Sequence, residues 1–241
     1  MTLTDDFSKD QVDIWTIPLV QSELVINSLY WLLSDEEKDK LIRFHFSQDR
    51  HRFIICHGAV RRILSNYVGV DQGQIKFDIN QFGKPFIRNK LGALEIQFNL
   101  THSEDRAVLA LTPTRNIGVD IEFIHPFTEY EKLAANYFSP EEKEDLESSE
   151  GPSKLNAFYK LWTRKEAFLK AIGKGLSFPL NDFSMLGKTS FEFQKVKLSW
   201  RSALAGYWYY IDLQIAEGYA SSMVIEGDNV SVLKFHQWVA E

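Results

Sequence analysis

A single cysteine, three methionines and seven prolines in 241 residues leave this chain few covalent or rigid constraints. With Cys56 alone, no internal disulfide can form, and a reducing compartment fits. No apolar run approaches the roughly 18–20 residues that span a bilayer, so no membrane role is expected. The start, MTLTDDFSKDQVD, lacks a basic segment leading into an apolar one, so no secretory signal is read there. An excess of positive charge is missing as well. A net charge of −6 argues against non-specific nucleic-acid binding, which needs a basic surface. An anionic ligand would have to be held by local cations or a metal. What is plentiful is aromatic: 14% of residues, within an ordinary 44% hydrophobic and 25% charged composition. The default is a cytoplasmic monomer with room for a real core.

The most structured stretch is FYKLWTRKEAFLKAIGKG, residues 158–175. Phe158, Leu161, Trp162, Leu169 and Ile172 recur at helical spacing, and Gly173 follows as a left-handed cap. Glu166 and Lys170, four apart, emerge one above the other on one face. Upstream, strands are expected at 12–20, 75–79, 95–100, 106–112 and 116–123, with helices at 24–33, after Ser34, and through 50–64. Ser34 with Glu37 forms a capping box. Residues 82–87, FGKPFI, read as a turn, and Leu146–Lys154 as a mobile loop. In the tail, strands are expected at 191–200, 207–215 and 220–225.

A faint internal repeat runs through this order. Ser139, Glu142 and Leu146 echo Ser34, Glu37 and Leu41 at an offset of 105, obtained as 139 − 34. The same shift carries Phe53 onto Phe158 and Leu64 onto Leu169. The fold expected is α/β (α+β): a pseudo-twofold pair of similar subdomains, 1–113 and 114–241, with a site between them.

Asp120 and Glu122 alternate with Val119 and Ile121 on a strand, so both carboxylates point to one side. At ~7 Å they repel by about 2–3 kcal/mol at an effective dielectric near 20. A solvated strand face would explain them, and so would a hard divalent cation shared with Glu166 and a phosphate. Asn99-Leu100-Thr101-His102-Ser103 lies at a strand end and can donate to phosphate; no G-x-S-x-G elbow supports a serine hydrolase. Lys84 in Gly83-Lys84-Pro85 is a cation on a stiff turn.

Four segments in this order resemble the 4′-phosphopantetheinyl transferases, in their two-subdomain form: FGKP at 82–85, FNLTHS at 98–103, GVDIE at 118–122 and WTRKEAFLKAIGKG at 162–175. The last follows the family's W-x-x-K-E-A-x-x-K-A-x-G-x-G pattern. Thr101 stands where the family usually has serine and keeps the hydroxyl.

The resemblance implies transfer of the phosphopantetheine arm from coenzyme A to a serine of an acyl or peptidyl carrier protein, releasing adenosine 3′,5′-bisphosphate. Asp120, Glu122 and Glu166 would hold Mg²⁺, or Mn²⁺, against the pyrophosphate. Lys170 would contact that pyrophosphate and protonate the leaving phosphate. Lys84, Thr101 and His102 would touch the nucleotide's phosphates, with Lys40 and Arg52 as further candidates for the 3′-phosphate. Glu142, in the segment YFSPEE, would be the general base, although the repeat reads it as a capping-box acid. Phe127, Tyr130, Leu133 and Phe138 would dock the carrier, or would pack a short helix on the core. Rivals are another Mg²⁺-dependent phosphate-handling enzyme, a non-catalytic coenzyme A or carrier-binding module, and a structural pseudo-repeat.

Overall fold

The computed structural model describes residues 7–87, 96–175, 178–187, 192–198, 206–227, 230 and 232–240. The first half comprises β1 (Gln11–Pro18), α1 (Glu23–Tyr30), α2 (Asp35–Leu41), α3 (Ser47–Val68), β2 (Phe77–Ile79), β3 (Pro85–Ile87), β4 (Gln97–Ser103) and β5 (Arg106–Thr112). The second comprises β6 (Ile117–Phe123), α4 (Tyr130–Tyr137), α5 (Pro140–Glu147), α6 (Gly151–Ile172), β7 (Phe183–Ser184), β8 (Gln194–Lys195), β9 (Lys197–Leu198), β10 (Trp208–Asp212), β11 (Tyr219–Glu226) and β12 (Val232–Gln237). The architecture is mixed α/β. Among the described residues no helix is long and apolar enough to cross a membrane.

Two four-stranded sheets, ordered β12-β1-β5-β4 and β6-β11-β10-β8, carry the halves. Alternation decides what each face meets. Val12, Ile14, Val108 and Ala110 of the first sheet pack against Ile117, Val119 and Ile121 of the second. The other face of the first sheet, with Phe98 and Leu109, packs on α1 and α3. The other face of the second supports α6 through Val224 and Tyr210.

The repeat is real in outline, but its offset changes. Ser34 and Ser139 both open short helices with complete capping boxes, 105 apart. The long helices both span 22 residues and end on left-handed Gly69 and Gly173, and these lie 104 apart (173 − 69). From capping serine to long helix the second half is one residue shorter (151 − 139 = 12 against 47 − 34 = 13), so Ile54, not Phe53, takes the place of Phe158. Each capping-box acid also bridges a cation on its long helix: Glu37 to Arg61 and Glu142 to Lys165, both at 2.7 Å.

Three further expectations shift. The stretch 146–154 is not a loop throughout: α6 begins at Gly151, seven residues before the expected start, with Pro152 in its first turn. Proline is at home there, where no intrahelical N–H bond is lost. The last strand, β12, was not foreseen and pairs parallel with β1, from Gln11 with Val232 to Thr16 with Gln237. Residues 232–237 therefore belong to the first half's sheet rather than to a second unit running to residue 241. Their weak alternation fits an outer strand with little to bury. Of the expected strand 191–200, positions 191, 199 and 200 lie outside the described residues, as do position 95 and the opening positions 1–6.

Gly118 sets the approach of α6. A Cβ there would lie 2.1 Å from the Ala167 carbonyl and 2.3 Å from the Ala171 amide, both helix backbone. Gly118→Ala is therefore expected to lower stability by about 3 kcal/mol, at the upper end of overpacking costs, because backbone cannot rotate aside. Urea unfolding measures it, and an unchanged midpoint would contradict so close a contact.

Candidate active site

Gly118, Asp120 and Glu122 share one face of β6, the face on which α6 lies. That close packing brings Glu166 and Lys170, one helical turn apart, over the two strand carboxylates. Lys170 Nζ donates to Asp120 Oδ1 at 2.5 Å and to Thr101 Oγ at 3.0 Å. Thr101 Oγ donates in turn to Asp120 Oδ1 at 3.1 Å.

β6 is the edge strand of its sheet, and β4 supplies what that edge lacks. Val119 N–H donates to Asn99 Oδ1 at 2.8 Å, and Phe123 N–H donates to Ser103 Oγ at 3.0 Å. Ser103 also donates to Glu122 Oε2 at 3.1 Å. The alternate residues Asn99, Thr101 and Ser103 thus make a polar seam between the halves. Period-2 polarity within β4 is the sequence signal for this seam, in addition to the phosphate donors expected there.

The centre is electrostatically unfavourable as it stands. Asp120 is 3% exposed, and its Oδ2 is buried without a hydrogen-bond partner among the described residues. Burial raises the Asp120 carboxyl, opposed by Lys170 and Thr101. Glu122 is raised by burial and by Asp120. Glu166 is pushed up to about 7 by burial and by Asp120, with Lys170 opposing and Glu122 adding. Among the described residues, no three acidic, histidine or cysteine side chains converge closely enough to cage a metal as they lie. The donor chemistry nevertheless fits a hard cation: oxygen ligands, one orphaned and buried, in a centre with excess negative charge.

The other expected residues are placed differently. His102 alternates with Thr101 and Ser103, so it points to the α3 side of β4. Its side chain keeps an exposed edge, and desolvation by its neighbours, then the positive charge of Lys170, His57 and Arg52, lowers its pKa. Arg52 reaches Glu104 at 2.8 Å, in the turn just beyond His102. Lys84 Nζ donates to the carbonyls of Ile117 at 2.9 Å and Ala171 at 3.2 Å, and burial brings it down to about 8. It stitches the FGKP turn to the end of α6, where a cation also suits the helix dipole. Asn80, which no motif marks, holds that turn by accepting the Phe82 and Lys84 amides and donating to Gly173 O. Lys40 is an exposed side chain on α2 and is not drawn into this group.

Glu142 is not at the centre. It is wholly buried, bridged to Lys165, and accepts the amides of Ser139 at 2.8 Å and Met185 at 2.7 Å. The residue expected as general base is thus held in framework contacts, with no surface exposed to a carrier serine. Of the two readings given for Phe127, Tyr130, Leu133 and Phe138, packing of a short helix on the core is the one seen in the contacts. Phe138 is fully buried and stacks on Phe158, while Phe127, Tyr130 and Leu133 pack against the same cluster.

A strand acid pair, a helix acid with a lysine one turn on, and a hydroxyl across the seam are groups that together suit a hard cation and a phosphate. The family comparison makes this specific. The profile described as 4′-phosphopantetheinyl transferase superfamily matches residues 116–222, and the one described as 4′-phosphopantetheinyl transferase, N-terminal, matches residues 21–114. The chain belongs to this superfamily and is a 4′-phosphopantetheinyl transferase of the Sfp type. It is 40% identical over 168 residues to 4′-phosphopantetheinyl transferase HetI of Nostoc sp., covering 70% of this chain and 71% of that protein. To 4′-phosphopantetheinyl transferase Sfp of Bacillus subtilis it is 35% identical over 153 residues, covering 64% and 66%. To 4′-phosphopantetheinyl transferase gsp of Aneurinibacillus migulanus it is 32% identical over 159 residues, covering 66% and 64%.

Proposed function

We propose that this transferase takes coenzyme A across the seam between its halves, 1–113 and 114–231 with β12 returning to the first, and passes the phosphopantetheine arm to a carrier-protein serine. The observation that carries the reading is the orphaned, buried Oδ2 of Asp120 beside Lys170 and Thr101. Asp120, Glu122 and Glu166 would hold Mg²⁺, or Mn²⁺. Bound there, the ion supplies charge neutralisation at the pyrophosphate. Lys170 would stay with the same phosphates and give a proton to the leaving group, while Thr101 orients the ammonium. Serine Oγ attacks the β-phosphorus, the bond to the adenylate-side oxygen breaks, and adenosine 3′,5′-bisphosphate leaves. The serine proton passes to a carboxylate of this centre or to water held there, since Glu142 is enclosed.

Arg52 and His102, on the α3 side of β4, suit a second anionic group such as the 3′-phosphate. Both sides of the seam come from one chain, which supports action as a monomer. Buried, unpaired Cys56, its thiol pushed up to about 12 by desolvation, fits a reducing, cytoplasmic setting. Intact mass of an apo carrier domain incubated with the protein, coenzyme A and Mg²⁺ tests the reading. The expected result is a gain of one phosphopantetheine arm, abolished by EDTA. No gain on acyl or peptidyl carriers, with coenzyme A still bound, would favour a binding module.

A further inference from the structure

The two halves carry the same buried device, and in the first half it is extended to a partly exposed side chain. In the second half, Glu142 meets only enclosed partners: Lys165, the Ser139 amide and the Met185 amide. In the first half, Glu37 meets the equivalent Arg61 and Ser34 amide, but its other oxygen, Oε1, takes His57 Nδ1 at 2.8 Å. Burial alone would raise Glu37, yet His57, the Ser34 amide and Arg61 bring it down to about 2. The 104-residue offset of the long helices places His57 opposite Leu161 (57 + 104), a core residue 3% exposed. Packing at this position is thus satisfied by leucine. His57 is instead 30% exposed, and its ring lies flat on Phe53 with centroids 3.9 Å apart. One nitrogen is tied to a carboxylate and the ring is clamped on an aromatic face, so only Nε2 is left to act.

We propose that His57, oriented by Glu37, is a further phosphate-binding residue, which joins Arg52 and His102 in reading the 3′-phosphate of the nucleotide. This rests on the coenzyme A reading above. It assigns Glu37 as a positioning residue acting through His57, whereas Glu142, its counterpart, only holds the fold. The geometry behind it is the α3 side of β4, where Arg52 reaches the turn after His102. His57 and Arg52 sit about a turn and a half apart on α3, the helix that covers the face of β4 to which His102 belongs.

The test compares adenosine 3′,5′-bisphosphate with AMP by calorimetry on the full chain, so that it does not depend on turnover. His57→Leu installs the residue of the other half, and the affinity ratio of bisphosphate over AMP is expected to fall about tenfold, as for loss of one charge-assisted hydrogen bond. His57→Gln, which preserves a donor without the charge, should lose less, and guards against a folding defect in the leucine variant. Glu37→Gln should also lower the ratio, beyond any loss of melting temperature, because a purely structural acid would change stability and leave the ratio alone. An unchanged ratio in folded His57→Leu or His57→Gln would overturn the proposal. A reduced ratio in a protein that fails the carrier mass assay would leave His57 in place and remove the transferase reading instead.

Discussion

Replacing Glu166 by glutamine is expected to cut transfer about a thousandfold, the scale of losing a group that organises transition-state charge, while leaving the chain folded. Without added metal the variant should also be the more stable protein above neutral pH. Glu166 projects from α6 towards Asp120 and Glu122, and its carboxyl is pushed up to about 7, first by burial and then by Asp120. A carboxyl raised in the folded state binds its proton more tightly there than in the unfolded chain. Its contribution to stability is complete below pH ~4.5 and is lost as pH rises through about 7. Glutamine never acquires the charge, so the difference in melting temperature should open across that window. Activity and stability then move in opposite directions, as at a site kept strained for function. Near-normal turnover in Glu166→Gln would remove it from the centre. A variant less stable than the parent at pH 8 would show that the carboxylates do not repel as described.

Much of this centre was legible because its residues obey local periods. Asp120 and Glu122 share a face by the strand period, and Glu166 and Lys170 by the helix period, so each pair could be placed without knowing the fold. What brought the pairs together was less visible. Gly118 looked like an ordinary strand residue, yet its missing Cβ lets α6 lie against β6. Asn99 and Ser103 looked like ligands, and their first task is to satisfy the free edge of β6. The repeat could be read from the capping boxes, but the one-residue difference in spacing combines a longer α5 with a shorter connection, which periodicity does not record. β12 escaped because an outer strand with half its residues exposed has little apolar alternation to show. The Glu37–His57 contact joins α2 to α3 across 20 residues, and only tertiary packing reveals it. Glu142 is the sharpest case. Motif resemblance and capping geometry pointed to the same residue with different roles, and burial separates them.

Glu142→Gln is accordingly expected to behave as a stability variant: a loss of about 3–5 kcal/mol, typical of breaking a buried ion pair from one side. For a chain of this length, that is roughly a 10 °C fall in melting temperature. Glu142 and Lys165 are both 0% exposed and 2.7 Å apart, so neither charge can turn to water when the other is removed. Lys165 also donates to the carbonyls of Leu180 at 2.7 Å and Phe183 at 3.0 Å, and lies over the Phe183 ring at 4.2 Å. Burial lowers its pKa against the pull of Glu142, so losing the acid favours a neutral amine. The pair ties α5 to α6 one residue before Glu166, and its loss should loosen the helix that carries the centre without touching substrate. Turnover per folded molecule should stay within about threefold of the parent, since the reacting groups are untouched. The double change Glu142→Gln with Lys165→Met should recover part of the lost stability, because an apolar isostere removes the orphaned charge. Unfolding curves beside single-turnover rates decide between the two roles. Normal stability with a collapsed rate would restore Glu142 as the base, and would mean that α5 opens to admit the carrier serine.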